Sequence, residues 1–172
     1  MKGPNRIFLV GFMGCGKSTV AAILARSLGA PLVDLDERIS EALGASVAEI
    51  FARHGERVFR REETRQLRLA CTLPRVVVAT GGGTFVSREN RAVIRAAEGW
   101  AVFLDVAWPA ILARLPGKNR DRPLFDDPAA ARELLERRRP AYLLADLHLE
   151  LDGTEPPEEV ARRILQSMPE VG

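Results

Sequence analysis

Residues 11–18, Gly-Phe-Met-Gly-Cys-Gly-Lys-Ser, match the phosphate-cradling pattern G-x-x-x-x-G-K-[ST] without a gap. An apolar run, Ile7-Phe8-Leu9-Val10, precedes them, and a helix-forming stretch, Thr19-Val20-Ala21-Ala22-Ile23-Leu24-Ala25, follows. That strand–loop–helix setting separates a phosphate loop from a chance glycine-rich turn. The glycines allow backbone N–H groups to turn inward on phosphate oxygens, and the helix N-terminus adds positive potential. In this pattern Lys17 reaches the β- and γ-phosphates, and the Ser18 hydroxyl ligates Mg²⁺. The chain is therefore expected to bind a nucleotide and to fold around a parallel sheet. The loop leaves open where the phosphate goes.

The alternation of elements agrees. Strands are expected at 6–10, 31–35, 75–79, 101–105 and 147–151. Helices are expected at 16–28, 37–53, 56–72, 88–98, 108–115, 128–144 and 157–168. Val76-Val77-Val78-Ala79 and Ala101-Val102-Phe103-Leu104 are nearly all apolar, as strands covered on both faces must be. This order predicts an α/β three-layer sandwich, with a five-stranded parallel sheet between helices and right-handed crossovers. Its ligands should lie beyond the C-terminal ends of the strands.

At 172 residues the chain suits one domain, residues 1–172, with 47% hydrophobic and 28% charged residues as in soluble globular proteins. No run approaches the roughly 18 apolar residues of a membrane span. The first strand starts almost at once, so a cytoplasmic protein without a leader is expected. A net charge of +2 argues against a nucleic-acid binder. Arg137-Arg138-Arg139 is the local exception, and a solvated helix face accounts for it equally well. Cys15 and Cys71 have no metal or disulfide spacing. Cys15 lies near a helix N-terminus, which favours a thiolate open to thiol reagents, or else it is a buried, inert thiol.

Four segments carry further chemistry. Asp34 and Asp36 end the second strand, where i and i+2 point to one side, one carboxylate near Mg²⁺ and the other facing an attacking hydroxyl. Asp is also a common helix cap. Arg60 and Glu63 are spaced so that Glu63 can orient a guanidinium fork for a carboxylate, though a surface ion pair has the same spacing. Gly81-Gly82-Gly83 follows the third strand and permits very close ligand approach. The polar, basic stretch 115–123 suits a lid that excludes water from the γ-phosphate, or an ordinary surface connection.

Taken in order, these segments closely resemble the shikimate kinase family over essentially the whole chain. The family pattern is met by Gly11–Ser18, by Asp34-Leu35-Asp36, and by Gly55-Glu56 with Phe59-Arg60 and Glu63. It continues with Gly81-Gly82-Gly83, Arg122-Pro123-Leu124 and Arg138-Arg139-Pro140-Ala141-Tyr142. The resemblance implies γ-phosphoryl transfer from ATP, with Mg²⁺, to the 3-hydroxyl of shikimate by a monomer that needs no nucleic acid or membrane. It implies that Arg60 and Arg138 grip the shikimate carboxylate while Glu63 orients Arg60. Asp36 contacts the ring hydroxyls, Asp34 sits near the magnesium shell, and Phe51, Phe59, Gly81, Gly82 and Gly83 line the pocket. Gly14, Cys15, Gly16, Lys17, Ser18 and Thr19 hold the phosphates. Arg122, in a lid at about 116–126, closes over the transferring group, and Arg114 with Pro156 or Pro157 flanks adenine. The shikimate-binding region is placed at about 34–63. Leu35 between the two aspartates, Ala21 in the first helix and the lid residues depart from the usual pattern. Another small-molecule kinase, such as gluconate kinase, and a kinase-like binding module without catalysis are the rival readings.

Overall fold

The protein is described here from a computed structural model covering residues 3–114 and 127–170. Strands β1 (Arg6–Val10), β2 (Leu32–Asp34), β3 (Val76–Ala79), β4 (Trp100–Val106) and β5 (Leu147–Leu151) form one parallel sheet in the order β2-β3-β1-β4-β5. Phe8 pairs with Val78 on one side and with Ala101 on the other, which centres β1. All four residues of β3 are buried, as is most of β4, so helices must cover both faces. These helices are α1 (Lys17–Leu28), α2 (Leu35–Leu43), α3 (Val47–Cys71), α4 (Arg88–Ala96), α5 (Trp108–Arg114), α6 (Pro128–Tyr142) and α7 (Pro157–Gln166). A 3₁₀ turn spans Thr84–Val86. Because every strand runs the same way, the loops after β1, β2 and β3 gather at the C-terminal end of the sheet. No helix among the described residues is long and apolar enough to cross a membrane.

The α/β architecture agrees with the sequence expectation, and the differences fall around α2 and α3. The helix expected at 37–53 is two helices. Gly44 ends α2 in the left-handed conformation (φ 63°, ψ 28°), and its N–H returns to the Ser40 carbonyl. Ser46 then starts α3 with a capping box, its hydroxyl taking the Glu49 N–H while the Glu49 carboxylate takes the Ser46 N–H. Ile39 and Ile50 pack with Phe59 in a small second core beneath these helices, apart from the sheet's main core. That core joins α2 to α3 on both sides of residue 55.

The break expected between helices at 54–55 is a kink within α3. Gly55 has φ 76° and ψ 170°, a region essentially closed to side chains. Nothing lies within 4 Å of where a Cβ would stand, so the constraint is in the backbone alone. Gly55→Ala should therefore cost about 1–3 kcal/mol of stability. Denaturant unfolding of the two proteins measures this, and an unchanged midpoint would show that α3 can straighten without cost.

Candidate active site

The phosphate loop joins β1 to α1. Gly14 and Gly16 take positive φ (75° and 89°), and Gly16 opens α1. Gly11 is fixed by contact, since a Cβ there would stand 2.9 Å from the Leu104 carbonyl oxygen and 3.1 Å from Cys15 Sγ. Lys17 is buried, and its Nζ donates to the carbonyls of Gly11 (2.9 Å) and Phe12 (2.7 Å), with Cys15 Sγ at 3.7 Å. Ser18 Oγ donates to Asp34 Oδ2 at 2.6 Å.

Asp34 and Asp36 do not share one face of a strand. Asp34 is the last residue of β2, and its Oδ1 accepts the N–H groups of Asp36 (3.0 Å) and Glu37 (3.4 Å). This cap starts α2 at Leu35, so the strand's alternation stops before Asp36, which lies in the first helical turn. Leu35, between them, is fully buried. The two carboxylates still diverge usefully: Asp34 faces Ser18, while Asp36 lines a cavity of about 420 Å³ beside the loop.

That cavity gathers Asp36, Phe51, Phe59, Arg60, Glu63, the three glycines and Arg138, with Met13 of the phosphate loop as a lining residue. Phe51 and Phe59 meet with ring centroids 4.6 Å apart. Glu63 is completely buried; its carboxylate takes Arg60 Nη1 through both oxygens (3.1 and 3.0 Å) and the Thr84 hydroxyl at 2.6 Å. Arg60 Nε also donates to Glu56 at 3.2 Å. Burial by itself would lower the Arg60 pKa, but the Glu63 and Glu56 carboxylates outweigh it and the net shift is upward. The Arg60–Glu63 spacing, open to two readings in the sequence, is thus a pair anchored on a buried carboxylate.

Each glycine of the turn leaves room for a different neighbour. A Cβ at Gly81 would stand 3.0 Å from both Asp36 Oδ1 and Glu63 Oε1. One at Gly82 would stand 3.3 Å from Arg138 Nη1, and one at Gly83 only 2.5 Å from Arg60 Nη2. The turn is a floor without side chains, on which two carboxylates and two guanidinium groups converge.

The arginine run divides three ways. Arg137 is exposed and faces Glu133 at 3.8 Å, Arg139 pairs with Asp105 on β4 at 2.5 Å, and Arg138 enters the cavity. Only Arg137 behaves as a solvated face.

A second cavity of about 320 Å³ lies on the other side of the loop, lined by Gly14, Cys15, Gly16, Thr19, Arg114 and Pro157 among others. Arg114 Nη2 donates to the Gly153 carbonyl at 2.6 Å. Pro157 lines this cavity; Pro156 is the exposed N-cap of α7. Arg122 and the lid expected at about 116–126 lie outside the described residues. Met13 and the Thr84–Glu63 contact have no counterpart among the sequence expectations. Tyr142, which enters those expectations only through the Arg138–Tyr142 motif, is fully buried against the sheet.

The shikimate kinase family model matches residues 13–169. The chain belongs to the shikimate kinase family. A shikimate kinase from Synechococcus elongatus is 42% identical over 168 residues, covering 96% of this chain and 87% of that protein. The solved structure of shikimate kinase from Acinetobacter baumannii in complex with shikimate is similar at a TM-score of 0.88 and 34% identity, over 94% of this chain and 91% of that one. A gluconokinase from Sinorhizobium meliloti reaches a TM-score of 0.62 at 16% identity, over 96% of this chain and 92% of that one, a likeness of fold alone. Within the shikimate kinase family the rival gluconate kinase reading loses its support.

Cys15 is 3% exposed and enclosed by the loop, which removes the access a thiol reagent needs. In the native protein Cys15 should remain unmodified by a maleimide over a period that labels it fully in denaturant. Peptide mass spectrometry reads the site, and rapid native labelling of Cys15 would contradict its enclosure.

Proposed function

We propose that the protein transfers the γ-phosphoryl group of ATP to the 3-hydroxyl of shikimate, giving 3-phosphoshikimate and ADP, as a single kinase domain. The observation that carries this reading is the cavity where Arg60 and Arg138 meet Asp36 within reach of the phosphate loop. Two guanidinium forks suit a carboxylate, and a nearby carboxylate suits a hydroxyl. Shikimate carries both groups on a ring that Phe51 and Phe59 can flank.

Transfer of this kind depends on positioning and on neutralising charge at the equatorial oxygens. Lys17 would leave the Gly11 and Phe12 carbonyls for the β- and γ-phosphates. Arg60 and Arg138 would hold the acceptor by its carboxylate, and Asp36 would orient the attacking hydroxyl and accept its hydrogen bond. Arg122, by its place in the family pattern, would add positive charge over the transferring group. Arg114 and Pro157 would flank the adenine side.

Ser18 and Asp34 offer hard oxygen donors side by side at the loop, which fits a magnesium ion that keeps most of its waters and takes the rest of its shell from phosphate. When bound, Mg²⁺ would neutralise phosphate charge, with Ser18 as its ligand and Asp34 acting through water. Among the described residues there is no cluster of three or more His, Cys, Asp or Glu side chains to hold a metal without the nucleotide.

A coupled assay of ADP release tests the activity. ADP should form with ATP, Mg²⁺ and shikimate together, and gluconate should not replace shikimate. Absence of shikimate-dependent ADP would reject the proposal in favour of a binding module. Asp36→Asn should lower turnover by about 10²-fold or more, the scale of a positioned base or orienter; near-normal turnover would remove that role. Arg138→Ala should weaken shikimate binding by about 2–5 kcal/mol with little change in ATP affinity. Isothermal titration with shikimate measures the loss.

A further inference from the structure

Tyr142 is the sole tyrosine of the chain and is completely buried. It lies four residues after Arg138 on α6, and therefore on the same helix face. Its hydroxyl donates to the Gly82 carbonyl oxygen, and the Arg138 guanidinium lies close enough to act on the phenol oxygen. A phenol oxygen can accept from a guanidinium while it donates to a carbonyl, and phenylalanine can do neither. The ring rests on Phe103 of β4 with centroids 5.1 Å apart, and Phe103 stacks in turn on His148 of β5 at 5.1 Å. Arg139, next to Arg138, ties the same helix to Asp105 of β4. The phenol is therefore held against the sheet, with its one polar atom between the substrate-facing arginine and the glycine turn.

We propose that Tyr142 is a positioning residue for acceptor binding, its hydroxyl locking Arg138 and the Gly82 backbone into one unit before the carboxylate arrives. The proposal rests on the reading that Arg138 binds that carboxylate. Arg138 hangs on four rotatable bonds, and an unanchored fork would lose that freedom only on binding, at a cost in affinity. Tyr142 removes this freedom in advance. Bonded to Gly82, it also sets the distance between guanidinium and turn, which meet at 3.3 Å from the Gly82 Cβ position. Burial above all pushes the phenol pKa well above its ordinary range, so the hydroxyl keeps the proton it donates to Gly82.

Steady-state kinetics of Tyr142→Phe, Arg138→Ala and the double variant test the inference. Tyr142→Phe should raise KM for shikimate about 10-fold or more, the scale of a hydrogen bond to a charged group. KM for ATP and kcat should change by less than about threefold. A residue that only fills the core would lower the melting temperature and the yield of active enzyme and leave KM for shikimate in place. The double variant should bind shikimate no more weakly than Arg138→Ala, because the hydroxyl acts through that arginine. An unchanged shikimate KM in Tyr142→Phe, or additive losses in the double variant, would overturn the proposal. An unchanged affinity in Arg138→Ala would instead reject the carboxylate reading beneath it. Should Tyr142→Phe fail to fold, the wild-type protein labelled with ζ-¹³C-tyrosine gives one resonance, because there is one tyrosine. Saturation with shikimate should shift that resonance, and no shift would overturn the proposal.

Discussion

One carboxylate joins the two halves of the site. Asp34 takes the Ser18 hydroxyl on Oδ2 and the Asp36 and Glu37 N–H groups on Oδ1. An ionised carboxylate has acceptor sites enough for both tasks, and the positive end of α2 stabilises its charge. The first bond ties it to the helix that follows the phosphate loop. The second decides where α2 begins, and so where Asp36 and the wall of the acceptor cavity stand. The distance between donor and acceptor is thus governed by a helix cap rather than by a flexible linker.

Beside Asp34, the glycine turn after β3 supplies a surface without side chains. Its position follows from the sheet order, since β3 lies directly beside β1 and brings Gly81–Gly83 next to the phosphate loop. Glu63 from α3 reaches across to Thr84 just beyond the turn, which fixes α3 against it. Arg60 is then held between a buried carboxylate and Gly83, with little freedom left to lose on binding.

What the sequence revealed divides along a physical line. The phosphate loop, the Gly81–Gly83 turn and the Arg60–Glu63 spacing were legible because each is a local demand on backbone or on one helical turn. The alternation of apolar strands and helices sufficed for the sheet for the same reason. The Asp34–Asp36 geometry was misread because the i, i+2 rule holds only while a strand continues, and a side chain that caps a helix ends the strand. The division of helix 37–53 was written in Gly44 and in Ser46-x-x-Glu49, a stop and a start that apolar periodicity alone passes over. The arginine run was ambiguous for a different reason. Neighbours on a helix point about 100° apart, so only packing against β4 shows that Arg139 anchors and Arg138 enters the site. The contacts of Glu63 with Thr84, and of Tyr142 with Gly82, span 21 and 60 residues and leave no local trace.

The partners of the three cations explain how one small cavity edge can await two anions. Arg60 is held by carboxylates, Glu63 and Glu56, so much of its charge is met within the protein. Lys17 is held by two backbone carbonyls, and the proposed partner of Arg138 is a phenol hydroxyl, all neutral acceptors. A neutral acceptor orients a cation and satisfies its donors without cancelling its charge, so the field of Lys17 remains for phosphate and that of Arg138 for the carboxylate. A buried carboxylate in either place would have made a tighter resting structure and a poorer binding site, since each arriving anion would first have to displace another. The arrangement therefore divides the work: the Arg60–Glu63 pair gives the cavity its rigidity and presents one preset fork to the acceptor, while Lys17 and Arg138 keep most of the attraction for the two substrates.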